Sequence, residues 1–131
     1  MALTKTRVSA SSGMGDWMTQ DTACRGEDRE LFFQPDGPGA RAWTPAPALE
    51  RCAVCPVRGD CIMFALRHEQ AGVWGLDEVT RKSIRRLVAR QIGRLAAARP
   101  AGMEMTDGER AEQRDRLYAI EANMRLQGAG S

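Results

Sequence analysis

Four cysteines constrain this 131-residue chain more than any other feature. They are Cys24, Cys52, Cys55 and Cys61, with 27, two and five residues between successive members. Cys52, Cys55 and Cys61 are local to one another, whereas Cys24 must return from a separate segment. The two-residue gap lets two thiolates reach one metal centre across a helix end and the neighbouring turn. A lone zinc ion needs four sulfurs at about 2.3 Å from a single point. A cubane iron–sulfur cluster is larger and spreads its ligands, which suits the wider third interval. The constellation is therefore read first as a site for one iron–sulfur cluster. Zinc, and disulfides or free thiols, remain as alternatives.

The rest of the composition makes a cross-link necessary. Aromatic residues are 5% of the chain, and Gly and Pro together fill 19 positions. A domain of this size gains only modest apolar burial per residue. A bound metal centre adds binding energy that is also folding energy. No run of 18 apolar residues exists, so no membrane span is expected. Residues 1–15 carry Lys5 and Arg7 without an apolar segment after them, unlike a secretory signal. The expected location is the cytoplasm, where a metal site is favoured over structural disulfides.

Punctuation and periodicity predict a small all-α domain of about four short helices, organised around the cysteine site. Residues 1–15 are expected to be a disordered arm. Residues 16–99 form the cysteine-bearing domain, which includes a basic helix over 78–98. Residues 100–131 form a charged C-terminal extension, helical over 108–126. Within the domain, one short helix is expected at Ala46–Ala53. A second starts near Pro56 and ends near residues 71–72. Asp77 is the expected N-cap of the basic helix, whose apolar stripe is Ile84, Leu87, Val88, Ile92 and Leu95. In the last helix the apolar positions are Leu117, Ile120, Met124 and Tyr118.

The large rings cluster in the cysteine-bearing half. Phe64 is expected to wall the site. Trp74, held between Gly72 and Gly75 in a turn, divides between a core role and a protein-interface anchor. Phe32 and Phe33 are adjacent, so one can face inward while the other meets a partner. His68 is the single histidine and is read as a packed or rim residue rather than a ligand. No acid pair or nucleophile–base pair stands out, and the chain is read as a non-enzyme. A disulfide reductase built on Cys52 and Cys55 lacks the flanking strand–helix unit.

Charge is uneven. Between residues 81 and 99 there are seven basic residues and no acidic one. A solvated face would be served as well by mixed charge. Phosphate contact fits better, and Arg81, Lys82, Arg85, Arg86, Arg90 and Arg94 are the candidate DNA-binding residues.

Taken together, these elements resemble the WhiB-like family of actinobacterial and actinophage transcription regulators. The resemblance rests on Trp17, Ala23-Cys24-Arg25-Gly26, Glu30-Leu31-Phe32-Phe33, Cys52-Ala53-Val54-Cys55-Pro56-Val57-Arg58 through Cys61, and Gly72-Val73-Trp74-Gly75, in family order over about residues 16–95. It implies one oxygen- and nitric-oxide-sensitive 4Fe–4S cluster on Cys24, Cys52, Cys55 and Cys61. It further implies docking on the C-terminal region 4 of the primary sigma factor, as a monomer in a 1:1 complex. Trp17, Phe32, Phe33 and Trp74 match positions of the cluster pocket or that interface, and the basic helix would meet promoter DNA. Two features depart from the family pattern. Leu76 follows Gly75 where a second glycine is usual, and a charged segment continues to Ser131.

Overall fold

Proline, glycine and aspartate punctuate the chain before residue 46, and among the described residues only single 3-10 turns form there: Trp17–Thr19, Arg29–Leu31 and Gly37–Gly39. The computed structural model describes residues 6–19, 22, 24 and 26–129. Four α-helices follow: α1 (Ala46–Ala53), α2 (Arg58–His68), α3 (Glu78–Ala97) and α4 (Asp107–Ala129). A single bridge, Trp74 to Leu76, is the nearest thing to a sheet among the described residues. The all-α expectation holds, although α3 and α4, at 20 and 23 residues, are not short. No helix is long and apolar enough to cross a membrane.

Local chemistry sets the helix ends. Pro47 occupies the first turn of α1, where a missing N–H costs nothing. Helix α2 begins two residues after Pro56 and stops earlier than residues 71–72, because Glu69 turns left-handed at φ 46°. A non-glycine there costs about 1 kcal/mol. Asp77 caps α3 as expected, accepting from the Thr80 N–H at 3.1 Å.

The turn between α2 and α3 needs both its glycines. Gly72 has φ 87° and Gly75 φ 73°, a region that side chains disfavour. A Cβ on Gly72 would lie 2.6 Å from Phe33 Cδ1, and one on Gly75 would strike Ile62. Leu76, which follows Gly75, is buried in the main core with Ile62 and Ile84.

That core joins α2, α3 and α4 through Ile62, Met63, Leu66, Ile84, Val88, Tyr118, Ala119 and Ala122. Two expectations are corrected here. First, α4 is no appendage: it packs along α3 and against α2. Its buried face is Tyr118, Ala119 and Ala122, with Leu117 and Leu126 at the margin. Ile120 and Met124 point outward, at 48% and 58% exposure. Small residues sit at the contact because they let the helix axes approach. On α3, Leu95 is likewise exposed.

Second, residues 6–15 are not a free arm. Val8 is buried in the same core. The Asn123 side chain accepts from the Val8 N–H at 2.9 Å and donates to its carbonyl at 2.7 Å. Arg67 donates to the carbonyls of Ser12 and Ala10 and pairs with Asp115 at 3.1 Å. Asp60 accepts from the Gly13 N–H at 2.9 Å. The segment is thus a strap clamped between α2 and α4. Residues 1–5, which belong to the expected arm, and 130–131 lie outside the described residues.

A second, smaller cluster holds the other half: Phe32, Ala48, Cys52 and Val73, flanked by Leu31, Phe33, Trp43 and Leu49. Backbone bonds knit it, with the Val73 N–H donating to Phe32 O at 2.8 Å and Trp43 Nε1 to Glu30 O at 3.0 Å.

Candidate metal centre and basic face

Cys52 sits in the last turn of α1, Cys55 in the link that follows, and Cys61 in the first turns of α2. Cys24 comes from the irregular segment before Gly26. All four are free thiols and line one hollow of about 430 Å³. Cys52 is buried, Cys55 and Cys61 half-buried, and Cys24 exposed. Ala23 and Arg25, which flank Cys24, lie outside the described residues.

The walls of the hollow are the expected aromatics. Trp17, Phe32, Phe33 and Trp74 all line it, together with Met18, Val57 and Val73. Trp17 and Phe32 are buried, which makes them walls rather than exposed anchors. Of the adjacent pair, Phe32 faces in and Phe33 stays half-buried under Arg29, whose guanidinium lies 5.0 Å from the ring. Phe64 backs the rings, 5.7 Å from both Trp17 and Trp74. Trp74 is half-buried: it stacks on Phe64 while its Nε1 donates to Ala71 O at 2.9 Å. His68 is exposed and lies 4.5 Å from the Phe64 ring, at the rim rather than in the packed face.

Electrostatics in the hollow follow from crowding. Burial pushes the Cys61 thiol far up, Cys52, Cys24 and Cys55 add to this, and Arg81 opposes it. Burial also raises Cys52, against the Gly75 N–H and Arg58, which favour its thiolate. Four thiolates around one hollow therefore repel one another unless a cationic core sits among them. Arg58 is the cation on the lining nearest to Cys52 and Cys55 in effect. Burial lowers it, both thiols raise it, and its Nε donates to Gly75 O at 3.0 Å. Arg51 instead pairs with Glu27 at 3.1 Å, toward solvent. The four-sulfur donor set, the apolar walls and the N–H of Gly75 fit a thiolate-bound inorganic group. Among the described residues no three donors converge closely enough for a single ion.

The basic helix divides into two sides. Arg81 is only 2% exposed and leaves the candidate DNA-binding set. It donates to Gln70 O at 2.8 Å and to Gly72 O. Its Nε and Nη1 have no partner among the described residues, and an unsatisfied buried donor costs about 1–3 kcal/mol. Arg85 is also turned inward, donating to Leu66 O at 3.1 Å and pairing with Glu69 at 3.4 Å. Lys82 pairs with Glu78 at 3.0 Å yet stays exposed. Arg86, Arg90 and Arg94 are exposed and carry no ion pair among the described residues. With Lys82 they form a ridge at four-residue spacing, about 18 Å long.

Sequence reasoning missed three contributors: Met18 in the lining, the Gly75 N–H on Cys52, and the Arg81 strut. Only the position of Arg81 carried a signal. It follows the Asp77 cap by four residues, on the side of α3 that faces the turn.

The sequence profile described as "Transcription factor WhiB" matches residues 17–84, which include all four cysteines and the glycine turn. The chain is 40% identical over 91 residues to transcriptional regulator WhiD of Streptomyces coelicolor, covering 67% of this chain and 79% of that protein. It is 39% identical over 77 residues to transcriptional regulator WhiB1 of Mycobacterium tuberculosis, covering 57% and 90%. It is also similar to the redox- and pH-responsive transcriptional regulator WhiB3 of the same organism, 44% identical over 63 residues, covering 46% and 61%. No solved structure gives a significant match. A profile match over just over half the chain, with a relative 40% identical over 67% of it, means that the chain belongs to the WhiB family of transcriptional regulators and is not an enzyme.

Proposed function

We propose that this WhiB-family regulator holds one 4Fe–4S cluster on Cys24, Cys52, Cys55 and Cys61. We further propose that it responds to redox state or nitric oxide, docks on region 4 of the primary sigma factor, and meets promoter DNA through α3. The carrying observation is that four free thiols, one of them from a remote segment, line one aromatic-walled hollow. A thiol set spread around a hollow suits a polynuclear group better than a lone zinc ion. When bound, such a cluster supplies one-electron redox chemistry and reactivity toward oxygen and nitric oxide.

The chain's own residues do the rest. Cys52, Cys55 and Cys61 are fixed by α1, α2 and their link, so they present a prearranged three-point seat. Among the described residues Cys24 hydrogen-bonds only within its own loop, to Thr22 and Glu27, and a shared ligand would tie that loop to the seat. Trp17 and Phe32 exclude water. Trp74 and Phe33, each half-buried at the rim, are the rings placed to meet a sigma partner. This reading of the partner rests on the family resemblance and on the place of those half-buried rings at the rim. Lys82, Arg86, Arg90 and Arg94 supply the phosphate ridge, with Arg81 and Arg85 excluded. A promoter-bound complex should lose about 0.9 from its log–log salt slope for each ridge residue removed.

Anaerobic co-purification with the C-terminal domain of the primary sigma factor, with iron and sulfide assayed, tests the proposal. A brown 1:1 complex containing both elements supports it. A colourless protein with stoichiometric zinc, binding sigma equally well, rejects the cluster.

A further inference from the structure

Arg81 is the least explained group in the molecule. Its side chain is 2% exposed, on a helix whose other basic residues mostly reach solvent. One nitrogen, Nη2, serves both Gln70 O and Gly72 O. Nε and Nη1 have no partner among the described residues. A guanidinium is always charged, so this is a desolvated cation with unused donors.

The acids within its reach are already engaged. Glu78 gives Oε1 to the Gly72 N–H at 2.8 Å and Oε2 to Lys82 at 3.0 Å. Asp77 gives Oδ2 to the Thr80 N–H at 3.1 Å and Oδ1 to the Thr80 hydroxyl at 2.6 Å. The remaining group within electrostatic reach that can become negative is the Cys61 sulfur. Arg85, the other cation nearby, is turned to Leu66 O and Glu69.

We propose that Arg81 is the buried counter-charge of the thiol centre and the positioning residue that ties that centre to the Gly72–Gly75 turn. The inference rests on reading the four thiols as ligands of a cluster. Four thiolates on a core of charge 2+ leave a net negative group, which burial penalises unless a cation stands close. Arg81 supplies that cation from outside the lining of the hollow, bonded to Gly72 O next to the lining residues Val73 and Trp74. Through Gly72 O the same guanidinium holds the turn that carries Trp74. The charge of the centre and the shape of the candidate docking rim are therefore joined through one side chain.

The full-length protein, purified anaerobically as wild type, Arg81→Lys and Arg81→Gln, tests this. Iron and sulfide are assayed, helicity is checked by circular dichroism, the cluster's reduction midpoint is measured, and turn amides are followed by hydrogen exchange. Arg81→Gln, which removes the charge, should lower the midpoint and speed cluster loss in air several-fold. Arg81→Lys should keep the midpoint near wild type. It should still speed exchange of the Val73 and Trp74 amides several-fold, because the lysine side chain is one atom shorter and its ammonium stops short of the Nη2 position that holds both carbonyls. A folded, iron-loaded Arg81→Gln with unchanged midpoint overturns the counter-charge. Should that variant not fold, Arg81→Lys with unchanged turn exchange overturns the positioning role. Wild-type protein without iron or sulfide removes the cluster reading and this inference together, whereas loaded wild type with unmoved variants removes the inference alone.

Discussion

The molecule has two halves held together by different physics. The α2–α3–α4 half, with the strap at residues 6–15, closes ten buried residues into one core. The thiol-bearing half closes four, and one of those is the sulfur-bearing Cys52. Before Ala46 its backbone makes only single 3-10 turns among the described residues. Apolar burial at about 25 cal/mol per Å² can stabilise the first half. In the second half the apolar surface lines a hollow of about 430 Å³ instead of filling a core. A bond network through the thiols is the stabilising element available there. With the proposed cluster, folding and sensing would be separated in this chain: one half would persist while the other depended on its ligand.

Removing the proposed metal centre should have the largest effect and should fall on one half. Anaerobic chelation is expected to reduce the opening free energy of amides in residues 26–45 to near 0 kcal/mol. Amides of Ile62, Leu66, Ile84 and Val88 should keep their protection in hydrogen exchange. Uniform loss across both halves would break the comparison.

Ile62→Ala strikes the persistent half. Ile62 is fully buried, and truncation should cost about 2–5 kcal/mol in urea unfolding. Iron binding by the protein that remains folded should be little changed.

Gly75→Ala strikes the seam. Gly75 donates its N–H to Cys52, accepts from Arg58 and packs on Ile62. Strain at positive φ and the clash with Ile62 together should cost about 2–4 kcal/mol. Unlike Ile62→Ala, this variant should lose both stability and cluster, read as the 400 nm absorbance per unit of folded protein.

Asn123→Ala tests the strap. Loss of both bonds to Val8 should cost about 1–3 kcal/mol and open residues 6–15 to limited proteolysis. Resistance equal to wild type would remove the strap from the core's account.

The smallest effect concerns acid. The Gly72 N–H, and then Lys82, hold the Glu78 carboxyl below its ordinary value. Its contribution is complete at neutral pH. It begins to fade as pH falls past the unfolded carboxylate value of about 4.3, and is gone below the depressed folded value. With the side chain 38% exposed, screening limits the contribution to less than about 1 kcal/mol. Glu78→Gln should flatten that acid limb of the stability profile without changing the plateau shape above pH 6.

The sequence by itself determined what short-range chemistry can carry. The Asp77 signal, the α1 limits, the stripe containing Ile84 and Val88, and the order of cysteines and glycines all act within a few residues of themselves. Tertiary structure decided the rest. A basic residue at 81 reads like those at 86 and 90, yet the carbonyls of the glycine turn draw it inside. Ile120 and Met124 fit an apolar period, yet α4 turns Ala119 and Ala122 to the core because small residues allow closer helix contact. Val8 meets Asn123 across 115 residues, a pairing that no local pattern can signal. Burial is a property of neighbours brought together by the fold, and a local pattern constrains only which neighbours are possible.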